Sequence, residues 1–306
     1  MLVFASSDKG GTGRSVTSCN LAYQLSLLGK DVAYLDFDFG SPTAGAIFET
    51  ISVERGADRG LHSFIAGKAS GMDRVDVRAD SIRSAMKARP PGSGRLVLLP
   101  GDKGGAEFGM QKDHVTRAAD LLRDLEREFD VCVIDLSAGR SQAVEMSLRA
   151  LASPMLDPAK TKTTVRWLVF HRWTRQHVLA ASGLIYEARG LLHIAEDAGH
   201  DRGRFLDLIR TVRTAVPDLN SQHTAQRPIQ AKWLRTSDEE LRELARKNRL
   251  GQGIMLGETP MEPMLQWREQ VILDSDVSQE FANRETIASF RELAAKLSSD
   301  QAYMGV

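Results

Sequence analysis

Eight consecutive residues, Asp8-Lys9-Gly10-Gly11-Thr12-Gly13-Arg14-Ser15, hold three glycines, two cations and two hydroxyls. That set suits phosphate chemistry. Glycines let successive backbone N–H groups converge on one anion, and the N-terminus of a following helix adds partial positive charge. The apolar run Leu2-Val3-Phe4-Ala5-Ser6 before the turn reads as a buried strand, and Val16 to Leu28 after it reads as a helix. Ser15, first in that helix, is placed to offer its hydroxyl to Mg²⁺.

Three carboxylates fall where such a turn would need them. Val32-Ala33-Tyr34-Leu35 reads as a buried strand that delivers Asp36 and Asp38 at its C-terminal end. Val131-Cys132-Val133-Ile134 does the same for Asp135. Ligands of open parallel sheets bind outside those strand ends. The plain alternative is an ordinary strand end with solvated acids.

The strict P-loop pattern G-x-x-x-x-G-K-[ST] fails twice, because Asp8 stands at its first glycine and Arg14 at its lysine. The stretch instead resembles the deviant Walker A motif, K-G-G-x-G-K-[ST], of the ParA/MinD superfamily of P-loop ATPases, with Lys9 matching that family's signature lysine. Asp36-Phe37-Asp38-Phe39-Gly40 resembles its switch I, and Val131 to Asp135 its Walker B strand. Leu98-Leu99-Pro100-Gly101 matches its L-L-P-G strand end, and Gly257 to Pro263 is similar to its I-P-x-D-P loop. Leu136-Ser137-Ala138-Gly139 departs from the family's usual run after the Walker B acid, with Gly139 as the expected switch II hinge. Arg213-Thr214 stands where an Asn-Arg pair is usual, which leaves base contacts open.

The resemblance implies ATP and Mg²⁺ as cofactors. Lys9, Gly10, Gly11, Thr12, Gly13, Arg14, Ser15, Val16 and Gly139 would hold the phosphates, and Pro260, Met261 and Glu262 would flank adenine. Ser15, Asp36, Asp38 and Asp135 would surround the metal, mostly through water. Asp38 would orient the attacking water, with Lys9 and Arg14 as the cations at the reacting phosphate. ATP would sandwich two copies of the chain, each Lys9 reaching the other's phosphates. A guanidinium is larger and more rigid than an ammonium at such a site, so slow hydrolysis is expected. Two other readings stay open: a degenerate P-loop scaffold or nucleotide sensor without turnover, and a nucleotide-controlled, partition-like DNA-binding protein.

Strands alternating with helices predict a three-layer α/β/α fold, a mostly parallel twisted sheet of about seven or eight strands in one domain spanning 1–306. Further strands are expected at Arg95–Leu99, Arg166–Phe170, Leu206–Thr214 and Ile254–Leu256. Helices are expected at Val115–Phe129, from about His177 to Asp197, at Asp238–Arg249 and along the Ile287–Leu297 stripe, with an irregular insertion over 218–235. Arg78, Arg83, Lys87 and Arg89 read as a solvated helix face. The basic stretch from Arg149 to Arg175, with Lys160, Lys162, Arg166 and Arg172 interleaved by Trp167 and Trp173, is the candidate non-specific DNA face. Its alternative is a tryptophan packed on the sheet.

The chain has 306 residues, with Lys+Arg and Asp+Glu both at 40. A net charge of zero gives no global field toward nucleic acid or acidic membranes. No apolar run approaches the ~20 residues of a membrane span, and a strand beginning at Leu2 leaves no room for a secretory leader. Cys19 and Cys132 fall at apolar positions and suggest a reducing, cytoplasmic setting. Cys132 lies inside a strand, which argues against an iron–sulfur cluster, and the tail lacks the tyrosines of an autokinase.

Overall fold

The computed structural model describes residues 1–105, 109–219 and 227–303. Its frame is an eight-stranded sheet in the order β3-β4-β2-β5-β1-β6-β7-β8. The strands are β1 (Leu2–Ser6), β2 (Val32–Phe37), β3 (Val75–Asp76), β4 (Leu96–Leu99), β5 (Val131–Leu136), β6 (Val165–Arg172), β7 (Ile209–Val216) and β8 (Met255–Pro260). All neighbouring pairs are parallel except β3 with β4.

Helices cover both faces because the strands are apolar on both. In β1, Leu2 and Phe4 enter one core and Val3 and Ala5 the other, as the two-residue period of a strand requires. The first core packs beneath the helices Lys112–Glu128, Gln142–Leu151 and Arg175–Tyr186. The second packs beneath α1 (Arg14–Leu27) and the C-terminal helix Arg284–Leu297. Both cysteines are buried in these cores, and burial pushes the Cys132 thiol up to about 12.

Several expectations need correction. The helix foreseen from His177 to Asp197 is two helices, Arg175–Tyr186 and Leu191–Asp197, separated where Arg189 takes a left-handed backbone with φ of 62°. The strand foreseen from Leu206 begins only at Ile209, because the Asp201 carboxylate caps a helix over Arg202–Leu208 by accepting from Arg204 N at 2.8 Å. Within 218–235, residues 220–226 lie outside the described residues. From Pro228 the chain is not irregular but helical, to Lys247, with proline in its favoured first position.

The basic run at 78–89 is a solvated face only in part: Lys87 and Arg89 are exposed, while Arg78 and Arg83 are not. Arg78 is buried, donates to Ser26 Oγ at 2.9 Å and to the Ala88 carbonyl at 3.2 Å, and lies over the Tyr23 ring. Arg83 is paired with Asp276 and donates to the Val271 carbonyl. These arginines tie the β3–β4 region to α1 and to the segment before the C-terminal helix. The contrast with exposed Lys87 is measurable. Arg78→Ala leaves buried acceptors without donors and should lower the unfolding free energy by about 2–4 kcal/mol in urea denaturation. Lys87→Ala should stay within about 0.5 kcal/mol of wild type. Equal effects of the two would contradict this packing.

Candidate functional site

The glycine-rich turn leaves the end of β1 and enters α1 at Arg14. Gly13 takes a left-handed backbone, φ 71°, at the N-cap, where a side chain would be strained. Two neighbours hold the turn. Thr214 of β7 donates its hydroxyl to the Thr12 carbonyl at 2.6 Å. Gly139, with φ of 77°, donates its N–H to the Ser7 carbonyl at 2.7 Å. A Cβ there would also sit 3.6 Å from the Asp8 carbonyl oxygen, so the turn after β5 lies directly on the glycine-rich turn.

Strand register sets the acids. Asp36 of β2 and Asp135 of β5 are direct partners across the parallel pair, and Asp135 also faces Ala5 of β1. Both acids are almost fully buried. Burial, reinforced by the charge of Asp135, pushes the Asp36 carboxyl up to about 7, against hydrogen bonds from backbone N–H groups. Those bonds come from Ala44 at 2.9 Å and Asp38 at 3.3 Å, and with a third from Thr43 at 2.9 Å they fix the loop after β2.

Arg14 neutralises the cluster. Its side chain is only 6% exposed, its Nε donates to Asp135 Oδ1 at 2.5 Å, and its Nη2 donates to Asp38 Oδ2 at 2.9 Å and to Ser15 Oγ at 3.1 Å. Burial opposes the guanidinium charge, but Asp135 and Asp38 outweigh it and its pKa rises. Breaking one partner of a buried pair costs about 3–5 kcal/mol, because the other charge is left uncompensated.

The expected magnesium set is therefore brought together but not open to a metal. Asp38, Asp135 and Ser15 are engaged by Arg14, and Asp36 is engaged by backbone N–H groups. Among the described residues no group of three or more His, Cys, Asp or Glu is arranged to hold a metal ion. One oxygen, Asp135 Oδ2, is buried without a hydrogen-bond partner. The set does not fit Mg²⁺ while Arg14 lies in it.

On the other side of the turn, a cavity of about 210 Å³ is lined by Gly11, Thr12, Gly13, Val16, Thr17 and the ends of β6, β7 and β8, including Arg172, Ala215 and Pro260. Pro260 borders it as expected of a base-flanking residue. Met261 is partly exposed and donates its backbone N–H to the Val216 carbonyl at 2.9 Å. Glu262 is buried, and its carboxylate accepts from Met264 N, Asn283 N, Asn283 Nδ2 and Thr286 Oγ1. It pins the C-terminal segment and also lines the cavity beside Pro260. Lys9 is half-buried beside the turn and makes no ion pair among the described residues, while Asp8 is paired with Arg140 at 3.0 Å. Gly10 is open to solvent.

The stacking face foreseen around residues 149–175 is absent. Trp167 is fully buried, donates to Ser6 Oγ at 2.9 Å and stacks on Phe4. Trp173 is buried, donates to Asp238 and lies beneath Arg213. Arg166 pairs with Asp300 and covers the Tyr303 ring. The packed-tryptophan alternative describes both side chains. Thr214, read in the sequence only as part of a pair near the base, holds the glycine-rich turn. One residue that sequence reasoning passed over also matters here. Asn20, inside α1, donates to the Gln270 carbonyl and accepts from Ile272 N. A buried asparagine in a helix was its visible signal.

The chain matches the CbiA family, described as the CobQ/CobB/MinD/ParA nucleotide binding domain, over residues 3–297. It is 29% identical over 157 residues to the septum site-determining protein MinD of Synechocystis sp., covering 50% of this chain and 49% of that one. The chain spans about half the length of the curated relatives it matches. Its fold is similar to the MinD cell division protein of Aquifex aeolicus, with a TM-score of 0.57 at 15% identity and coverage of 97% and 96%. A MinD from Pyrococcus horikoshii complexed with Mg-ADP aligns at a TM-score of 0.50 and 14% identity, covering 98% and 97%. No helix among the described residues is long and apolar enough to cross a membrane.

The Asp36 environment has a pH signature. Its ordinary pKa is near 4, and the folded value is higher. The folded state therefore holds this proton after the unfolded chain has lost it. Its contribution is full below pH ~4 and is lost as pH rises toward 7. Asp36→Asn lacks that loss. In urea titrations the stability of wild type relative to Asp36→Asn should fall steadily between pH 4 and 7 and level off above. A difference that stays flat across that window would contradict the buried acidic pair.

Proposed function

Because the chain belongs to the CobQ/CobB/MinD/ParA nucleotide-binding domain family, we propose that it binds ATP in the turn from Lys9 to Val16 and works as a slow nucleotide-controlled switch. One observation carries this reading. The glycine-rich turn delivers a cation, Arg14, onto Asp38 and Asp135 at the adjacent strand ends. The phosphates lie along Gly10 to Ser15, where backbone N–H groups and the N-terminus of α1 favour negative charge. The ribose and base extend into the cavity bordered by Val16 and Pro260. Lys9, with no ion pair of its own among the described residues, reaches toward the phosphates of a second copy, so ATP favours a homodimer.

Turnover is slow for two physical reasons. Asp38 can orient a water only with an oxygen that Arg14 does not hold. A guanidinium that grips phosphate as firmly before the transition state as in it lowers no barrier. The same capture of Asp38 favours a second reading, a sensor that binds nucleotide and releases it unchanged.

The readings separate on purified protein. Titration with a fluorescent, non-hydrolysable ATP analogue should show saturable binding, and sedimentation should show a larger species with the analogue than without. Arg14→Lys should raise ATP turnover on the order of tenfold, equal to about 1.4 kcal/mol of barrier. Binding without a rise would favour the sensor. No binding would remove the nucleotide reading, and one mass in both conditions would remove the dimer.

A further inference from the structure

Arg14 does more than replace a lysine. Its Nε and Nη2 together hold Asp135, Asp38 and Ser15, three of the four groups expected around a divalent cation. The fourth, Asp36, is held by the backbone N–H groups of Thr43 and Ala44. A lysine ammonium is a compact point charge and cannot offer two separate nitrogens in a fixed fork to the two carboxylates. The guanidinium can, and it sits where only 6% of its surface reaches solvent.

Resting on the nucleotide reading above, we infer that the Arg14 guanidinium takes the seat of the divalent cation, so that this site takes up its nucleoside phosphate free of metal. Arg14 Nη1 makes no hydrogen bond among the described residues and is not sealed from solvent. Its two N–H groups remain for a phosphate oxygen, a charge-assisted contact. One side chain thus does two jobs: it compensates the strand-end acids and it meets the phosphate. A metal entering between Asp38 and Asp135 would have to displace the guanidinium or stand beside its positive charge. The cost is affinity. One guanidinium brings less positive charge to the phosphates than a lysine and a divalent cation together, so binding is weak.

Metal dependence of binding tests this without reference to turnover. The full chain is titrated with a fluorescent, non-hydrolysable ATP analogue, once in EDTA and once in excess MgCl₂. Magnesium withdraws the free nucleotide into its own complex, so the wild-type affinity should be equal in the two buffers or lower with magnesium. Arg14→Lys frees Asp38 and Ser15, and its affinity should rise tenfold or more with magnesium. A wild-type gain of threefold or more on adding magnesium would overturn the inference and leave the nucleotide reading standing. No binding in either buffer would overturn both. The wild-type ratio decides by itself if the variant fails to fold.

Discussion

Everything at this site depends on the buried ion pair of Arg14 with Asp135 and Asp38. Parallel pairing of β2 with β5 sets Asp36 and Asp135 side by side, away from solvent. Two carboxylates so placed cannot both stay charged without a cation beside them. The chain supplies that cation from the first residue of α1. It can do so because Gly13 turns left-handed just before it and aims the helix start at the strand ends. The geometry of a phosphate-binding turn and the neutralisation of the acids are therefore one structural problem with one solution.

That solution links the surrounding loops. The glycine-rich turn is held by Thr214 from β7 and by the Gly139 N–H from the turn after β5. Arg140, next to Gly139, pairs with Asp8 at the start of the glycine-rich turn. The loop after β2 is held by Asp36 through Thr43 and Ala44. Movement of Arg14 would change the charge felt by Asp38 and Asp135 together. Asp38 lies just after β2 and Asp135 within β5.

Much of the fold was legible in the sequence because its strands are buried on both faces and read as short apolar runs. Leu2–Ser6, Val32–Leu35 and Val131–Asp135 were visible in that way, and so was the glycine-rich turn. Misreadings came where a local feature competed with the period. Asp201 capped a short helix whose last residues, 206–208, fall at the start of what read as a strand. Arg189 broke what read as one long helix. Tertiary burial decided the rest. Arg78, Trp167 and Trp173 are polar or amphipathic types that composition assigns to the surface, and each is buried and donates to a partner inside the fold. At the site, the types and order of the residues were readable, and Arg14 stood out as a departure. That its guanidinium would turn onto both acids was not readable. It depends on β2 and β5 being neighbours in register, which spacing along the chain does not encode.

The central claim is that Arg14 and Asp135 form one electrostatic unit, and a double-mutant cycle measures it directly. Arg14→Met, Asp135→Asn and the double variant are unfolded in urea beside wild type. If the unit exists, Arg14→Met leaves buried Asp135 uncompensated and costs about 3–5 kcal/mol, Asp135→Asn costs less because Asp38 still holds Arg14, and the double change costs no more than Arg14→Met. The coupling should exceed about 2 kcal/mol. Single effects that add to the double effect within about 0.5 kcal/mol would show that Arg14 does not rest on Asp135, and the account would fail at its foundation.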